Sequence, residues 1–302
     1  MSQPALQLGS SDAVWRREYP FKSHYMNVGN DVRLHYVDEG PRDSQQTLLA
    51  VHGNPTWSFY YRSIVSKFRD THRVVAVDHV GCGGSDKPIS YDYCLAKHTE
   101  NLVRLIDSLQ LKNITLVVHD WGGAIGLGAA VERQSSIKNI LVLNTGAFPP
   151  PYIPLRIAAC RWPWIGSFAM RYFNAFAWTA TFMAIDRLPR LSPAAKAGLL
   201  APYDSPAHRI AIDRFVQDIP MRSSHRTYKV LEKLEQRLPE LTAKRIHFVW
   251  GMKDWCFRPE CMERMARAWP NATRRELADV GHYVMEEAYA EVLEELEKLL
   301  AN

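Results

Sequence analysis

Apolar residues fall into two kinds of run along the chain. Short, unbroken runs recur at 47–51, 73–77, 115–118, 137–143 and 245–250, each rich in Val, Ile or Leu. Runs of this length and composition suit strands buried on both faces. Between them the apolar positions take helical spacing, at 57–68, at 95–109 with Leu102, Leu105, Ile106 and Leu109 on one face, and around 259–268. A last helix carries Tyr289, Leu293, Leu296 and Leu300 on one face and glutamates on the other. Two alternating runs, 24–28 and 32–37, flank Gly29-Asn30 and predict a β-hairpin. A final strand is expected at 273–277, and residues 1–20 read as a loose arm anchored by Trp15 and Tyr19. Strands alternating with helices predict an α/β fold with a mainly parallel sheet, whose ligands sit at the carboxyl ends of the strands. His52-Gly53-Asn54, Asp78, Asp120 and Asn144 fall at such ends.

The sheet pattern disappears between residues 147 and 228. Prolines crowd its entry (Pro149, Pro150, Pro151, Pro154), and a dense aromatic set follows from Trp162 to Phe182. This predicts a helical cap at 147–228 inserted into a core of residues 1–146 and 229–302. Most of the cap aromatics are expected in the cap's own core, with the rest lining an apolar pocket over Asp120. The cap holds ten Arg and Lys against four Asp, a net +6, so it accounts for the chain's whole excess of +5.

Composition narrows the function classes. The sequence is 302 residues long, 47% hydrophobic and 23% charged, which is ordinary globular usage. No Lys/Arg run resembles a nucleic-acid-binding arm. Five cysteines without a C-x-x-C pair are expected as reduced, structural thiols. No signal-peptide pattern opens the chain, and the uncharged stretch at 172–185 is well short of the ~20 residues a membrane span needs. A soluble, cytoplasmic protein without cofactor or metal is the expectation.

The chemistry points to one turn. The run at 115–118 stops at His119-Asp120-Trp121, and Gly122, Gly123 and small residues at helical spacing follow. Strand, sharp turn and helix lift Asp120 in front of a helix N-terminus, where free N–H groups favour an ionised carboxylate. Asp254 follows the run at 245–250, and His282 follows the strand at 273–277. Nucleophile, acid and base in that order is the order of the α/β-hydrolases. No G-x-S-x-G occurs, so Asp120 stands where a serine would be expected. An aspartate nucleophile forms an alkyl ester, which suits a saturated carbon bearing a leaving group or a strained ring. His282 would activate water against that ester, and Asp254 would hold the other ring nitrogen.

These motifs resemble haloalkane dehalogenases. The resemblance rests on His52-Gly53-Asn54-Pro55-Thr56, the Asp78 to Asp86 loop, His119-Asp120-Trp121-Gly122-Gly123, Gly251-Met252-Lys253-Asp254 and Gly281-His282-Tyr283, and it spans nearly the whole chain. It implies an α/β-hydrolase fold with a mostly parallel eight-stranded sheet and a helical cap after the sixth strand. It implies Asp120 as nucleophile, His282 as base, Asp254 as acid, and Asn54 with Trp121 as the halide grip. Those two side chains are neutral donors, able to stabilise a leaving halide without retaining it as a cation would. The backbone N–H groups of the same two residues would form the oxyanion hole. The implied partners are a small apolar halogenated substrate, water and a halide ion, and the cap surface is open to a homo-oligomer contact or a lipid-like substrate.

The branch follows from the acid. The sixth strand ends in Asn144-Thr145-Gly146 without a carboxylate, so the acid is the later Asp254. With Asn54, that resembles the third haloalkane dehalogenase subfamily, which is close to the β-lactone decarboxylases of bacterial olefin biosynthesis. Dehalogenation is the first reading and β-lactone decarboxylation to an alkene the alternative. A third reading, epoxide hydrolysis, needs two cap tyrosines among Tyr152, Tyr172 and Tyr203. Fluoroacetate dehalogenases carry an arginine where Trp121 stands.

Overall fold

The computed structural model describes residues 14–301. Of the loose arm expected at residues 1–20, residues 1–13 lie outside them, and Val14–Glu18 forms a 3-10 helix. Eight strands form one sheet in the order β1-β2-β4-β3-β5-β6-β7-β8. They are β1 (Ser23–Asn27), β2 (Arg33–Glu39), β3 (Thr47–Val51), β4 (Arg73–Val77), β5 (Ile114–Asp120), β6 (Ile137–Thr145), β7 (Arg245–Gly251) and β8 (Thr273–Leu277). β2 runs antiparallel to both β1 and β4, and every later pair is parallel.

The unbroken apolar runs work as the pattern implies. Side chains alternate across a strand, so Leu49, Val51, Leu116, Val118 and Val142 enter one core while Leu48, Ala50, Val117, Leu141 and Leu143 enter the other. Helices cover both layers: α1 (Arg62–Phe68), α2 (Leu95–Ser108), α3 (Trp121–Glu132), α9 (Arg226–Arg237), α10 (Pro259–Ala266), α11 (Val284–Glu287) and α12 (Tyr289–Leu300). Five more, α4 (Leu155–Cys160), α5 (Ile165–Tyr172), α6 (Ala175–Met183), α7 (Pro193–Leu200) and α8 (Ile210–Gln217), lie between β6 and β7. Trp15 and Tyr19 are buried against Trp57, with ring centroids 5.8 and 5.1 Å away.

Three local expectations change. The first turn of the 57–68 helix, Ser58–Tyr61, is 3-10. The buried face of α12 is Val292, Leu296, Leu299 and Leu300, while Tyr289 is exposed and Glu295 is buried beside His247 and Arg275. One glutamate of the polar face is thus an internal ion partner, which an apolar count cannot see. The third change is in the cap. Trp162, Trp164, Phe168, Tyr172, Phe173 and Trp178 are all exposed, so they are not a cap core. The apolar packing around Met170, Ile157 and Val216 is small, because helices this short each have one inward face and the cavity takes much of it.

β3 is the point where the sheet order reverses, with β4 on one side and β5 on the other. Loops leaving β3 and β5 therefore diverge, and the crevice between them is where an open α/β sheet receives a ligand.

Candidate active site

Asp120 ends β5 with φ +51 and ψ −132, a left-handed conformation costly for a residue with a Cβ. The neighbouring chain enforces it. Thr145 Oγ1 donates to the Asp120 carbonyl, and the β5–β6 register shifts between Val118 and Asp120. α3 then starts at once, with Gly122 so close to β3 that a Cβ there would stand 2.7 Å from the His52 carbonyl oxygen. The side chain does not cap α3. It is turned into the crevice, where its Oδ2 accepts the backbone N–H of Asn54 at 3.0 Å, and the Trp121 N–H also bonds the carboxylate. Gly53 permits this approach, since a Cβ on it would lie 2.7 Å from Asp120 Oδ2.

Burial pushes the Asp120 carboxyl up to about 6, against the pull of His282 and of the Asn54 and Trp121 N–H groups. The expectation of a carboxylate favoured simply by the helix terminus is corrected here. Loss of water outweighs the local donors, although the group stays mainly ionised at neutral pH.

His282 Nδ1 donates to Asp254 Oδ2 at 2.7 Å, and Asp254 Oδ1 accepts the N–H groups of Cys256 at 2.7 Å and Phe257 at 3.1 Å. This fixes both the carboxylate and the ring. Burial alone would lower His282, but the charge and hydrogen bond of Asp254, with Asp120 opposite, raise it above its ordinary value. His282 Nε2 faces Asp120 Oδ2 at 4.0 Å. The structure thus brings Asp120, Asp254 and His282 together in one buried relay.

Asn54 and Trp121 flank the same carboxylate and line the same cavity. One amide proton of Asn54 goes to the Ile212 carbonyl of α8 at 3.3 Å, which leaves the second for a ligand. The Trp121 indole packs on Phe215 at 5.6 Å between centroids. Two strand-end residues turn elsewhere. Asp78 binds His35 and the N–H groups of Ser58 and Gly84, so it ties the β4 loop to β2. Asn144 clasps Gly251 through both ends of its amide, at 2.9 and 2.7 Å, and so locks β6 to β7.

The cavity holds about 360 Å³. Its walls are overwhelmingly apolar and include Phe148, Ile157, Phe176, Met183, Val216 and Leu231. Cys160, Cys256 and Cys261 also line it, and burial pushes the Cys261 thiol up to about 11, so it is wall rather than nucleophile. The tyrosines needed for epoxide opening are not assembled. Tyr172 is exposed, Tyr203 donates to the Thr56 carbonyl, and Tyr152 lines the cavity but donates to the Cys256 carbonyl.

Two supports of the relay had no clear signature in the sequence. His119 lies under His282 with ring centroids 4.6 Å apart, and its Nε2 donates to the His282 carbonyl at 2.8 Å. Burial, reinforced by the His282 charge, lowers it well below the ordinary range and keeps it neutral. Glu287 accepts the N–H groups of Gly281, Asp186 and Arg187, while Ala184 O accepts those of His282 and Tyr283, both at 2.9 Å. The residues just after α6 are therefore clamped to the loop that carries His282. The His119-Asp120-Trp121 motif hinted at the first support. Nothing short of the fold reveals the second.

A model of the α/β hydrolase fold matches residues 46–289. The chain belongs to the α/β-hydrolase family. Among relatives of this α/β-hydrolase, it is 40% identical over 289 residues to a cis-3-alkyl-4-alkyloxetan-2-one decarboxylase of Shewanella oneidensis, covering 94% of this chain and 89% of that one. It is 36% identical to the decarboxylase of the same name from Xanthomonas campestris pv. campestris, covering 90% and 93%. Haloalkane dehalogenase 2 of Mycobacterium tuberculosis is 30% identical, covering 89% and 92%. Among solved structures, the tetrameric haloalkane dehalogenase DpaA from Paraglaciecola agarilytica NO2 superposes with a TM-score of 0.77 at 27% identity, over 94% of each chain. No helix among the described residues is long and apolar enough to cross a membrane.

Proposed function

We propose that this α/β-hydrolase opens a dialkyl β-lactone on Asp120 and releases an alkene and carbon dioxide. The observation that carries the reading is the 40% and 36% identity to two oxetanone decarboxylases, against 30% to a dehalogenase. The weight of the two activities expected from the motifs is thereby reversed. The site supports the same reading, because its polar groups gather at one end of an apolar cavity. Residues 147–228 act as the cap over a core of 1–146 and 229–302.

The chemistry balances without added reagents. Asp120 Oδ attacks the ring carbon that bears the lactone oxygen, a C–O(Asp) bond forms, and the ring C–O bond breaks. The released carboxylate takes the place a halide would take, beside the Asn54 amide and the Trp121 indole N–H. Loss of carbon dioxide then sends the C–C electron pair into the new double bond, and the C–O(Asp) bond breaks to restore the Asp120 carboxylate. No water is consumed. Asp254 holds the His282 ring beside the carboxylates and raises its affinity for a proton.

Hydrolytic dehalogenation through the same aspartyl ester is the second reading, favoured by the Asn54 and Trp121 donor pair beside Asp120. There His282 activates water against the ester. The deciding experiment incubates the protein with a cis-dialkyl β-lactone and, separately, with 1,2-dibromoethane, and follows alkene and bromide. Alkene from the lactone is the expected result. Bromide release without any alkene would overturn the decarboxylase reading.

A further inference from the structure

The cap carries an apolar face that the cavity chemistry does not use. α4, α5 and α6 pack in sequence. Outward from them and their connections stand Leu155 (87% exposed), Trp162 (64%), Trp164 (89%), Phe168, Tyr172 and Phe173 (72%). Phe168 stacks on Tyr172 at 4.7 Å and meets Phe173 edge-on at 5.7 Å, so part of this surface is connected aromatic rather than scattered rings. A connected apolar surface open to water marks an interaction site.

Charge on the same stretch has one sign. Residues 133–185 contain no Asp or Glu, while Arg156, Arg161 and Arg171 lie among the aromatics. Arg161 donates to the Gln217 carbonyl at 2.8 Å and Arg171 to the Pro206 carbonyl at 3.2 Å. Backbone carbonyls fix these two guanidinium groups without an ion pair, although the charge of Asp218 acts on Arg161. Arg156 is exposed, lies over the Trp255 ring at 5.2 Å and also lines the cavity, so the cavity mouth borders this face.

We infer that the α4–α6 face docks the protein on an anionic lipid bilayer, with the aromatic side chains in the interfacial zone and the arginines on head-group phosphates. Trp and Tyr favour that zone, and short amphipathic helices lie in its plane. Arginine pairs with phosphate through two parallel N–H donors. A second copy of this chain fits less well. A two-fold contact would set arginine against arginine, with no acid on the stretch to pair them. A partner rich in phosphate answers both the charge and the apolar surface. The inference is independent of which reaction the site performs, and vesicle binding and product release are separate readouts.

The test uses the full chain with sucrose-loaded vesicles of phosphatidylcholine alone, or of phosphatidylcholine with a minor share of phosphatidylglycerol. Pelleting is expected to be stronger on the anionic vesicles by about tenfold or more in affinity. The double variant Trp164→Glu/Phe168→Glu should lose that binding. Neither residue lines the cavity, so its melting curve and its turnover of a water-soluble short-chain substrate should match the parent. Absence of pelleting on both vesicles would overturn the inference, as would equal pelleting of the variant. A dimer or tetramer in sedimentation velocity that the double variant dissociates, without vesicle binding by the parent, would assign the face to a second copy instead.

Discussion

His282 Nε2 stands 4.0 Å from Asp120 Oδ2, with its other nitrogen held 2.7 Å from Asp254. The gap is too long for a direct hydrogen bond and leaves the Asp120 carboxylate unencumbered by its neighbour. It also leaves the ring free to serve a water molecule against an ester carried on Asp120. His282→Ala should therefore accumulate an alkyl adduct when given a bromoalkane that the parent turns over. Intact mass should rise by the alkyl group, and digestion should map the increase to the Asp120 peptide. An unmodified Asp120 would count against the ester.

Oxygen labelling separates the fates of that ester. Lactone turnover in H₂¹⁸O should leave the Asp120 peptide unlabelled after many cycles, because decarboxylation breaks the alkyl–oxygen bond and needs no water. A bromoalkane substrate should instead place ¹⁸O in the Asp120 carboxylate. Label appearing with the lactone would rule out the water-free collapse.

The raised carboxyl of Asp120 predicts a pH dependence in both rate and stability. Attack requires the carboxylate, so kcat/KM for lactone opening should rise with pH through about 6. For stability, a native value of about 6 above the ordinary 3.8 means the folded state prefers the protonated form. The contribution of this group to native stability is therefore greatest below about 4 and is lost as pH rises to 6. Above 6 the deficit amounts to about 3 kcal/mol. Asp120→Asn should remove the deficit. Its unfolding free energy should exceed the parent's at pH 7.5 and converge with it below pH 4, as read by urea denaturation. An identical pH dependence in parent and variant would contradict the assignment.

Trp121 is partly buried and lines the cavity. Trp121→Phe keeps the ring beside Phe215 but removes the N–H. Loss of a single preorganised donor typically costs about 10²-fold in kcat, and a drop of that order is expected with little change in melting temperature. A near-parental rate would remove Trp121 from leaving-group stabilisation.

Glu287 collects three backbone N–H groups from two segments. Glu287→Ala would remove all three bonds, of which only the Arg187 and Gly281 N–H groups are shielded from water, at a cost of roughly 2 kcal/mol. Activity at saturating substrate should fall as well, because the His282 loop is one of the segments released. Glu287→Gln, which keeps an acceptor oxygen, should recover part of both. Unchanged stability in the alanine variant would show the clamp to be idle.

Much of this architecture was legible because the physics was local. Unbroken β-branched and leucine runs too short for a helix, each closed by a turn, fit strands covered on both sides, so β3 to β7 followed from composition and length. The Asp120 turn was legible because a strand stopping against two glycines forces a tight elbow. Asp254 and His282 could be placed at strand ends by the same reasoning. The cap resisted it. Trp162, Trp164 and Phe173 look like core residues by type, yet burial depends on which face a short helix turns inward, and helices of six to nine residues carry too few positions to show a period. The roles of His119 and Glu287 were hidden for another reason. Each bonds backbone groups a hundred or more residues away, and no side-chain pattern records such a contact.

The clamp between Ala184, Glu287 and the His282 loop has a practical corollary for recombining members of this family. A cap exchanged between homologues by cutting at residues 147 and 228 brings its own 184–187 segment but leaves residue 287 behind in the recipient. Chimeras whose recipient lacks a carboxylate there would misplace the histidine while retaining every residue of the relay. Grafting the acceptor together with the cap makes the two parts transferable as one unit.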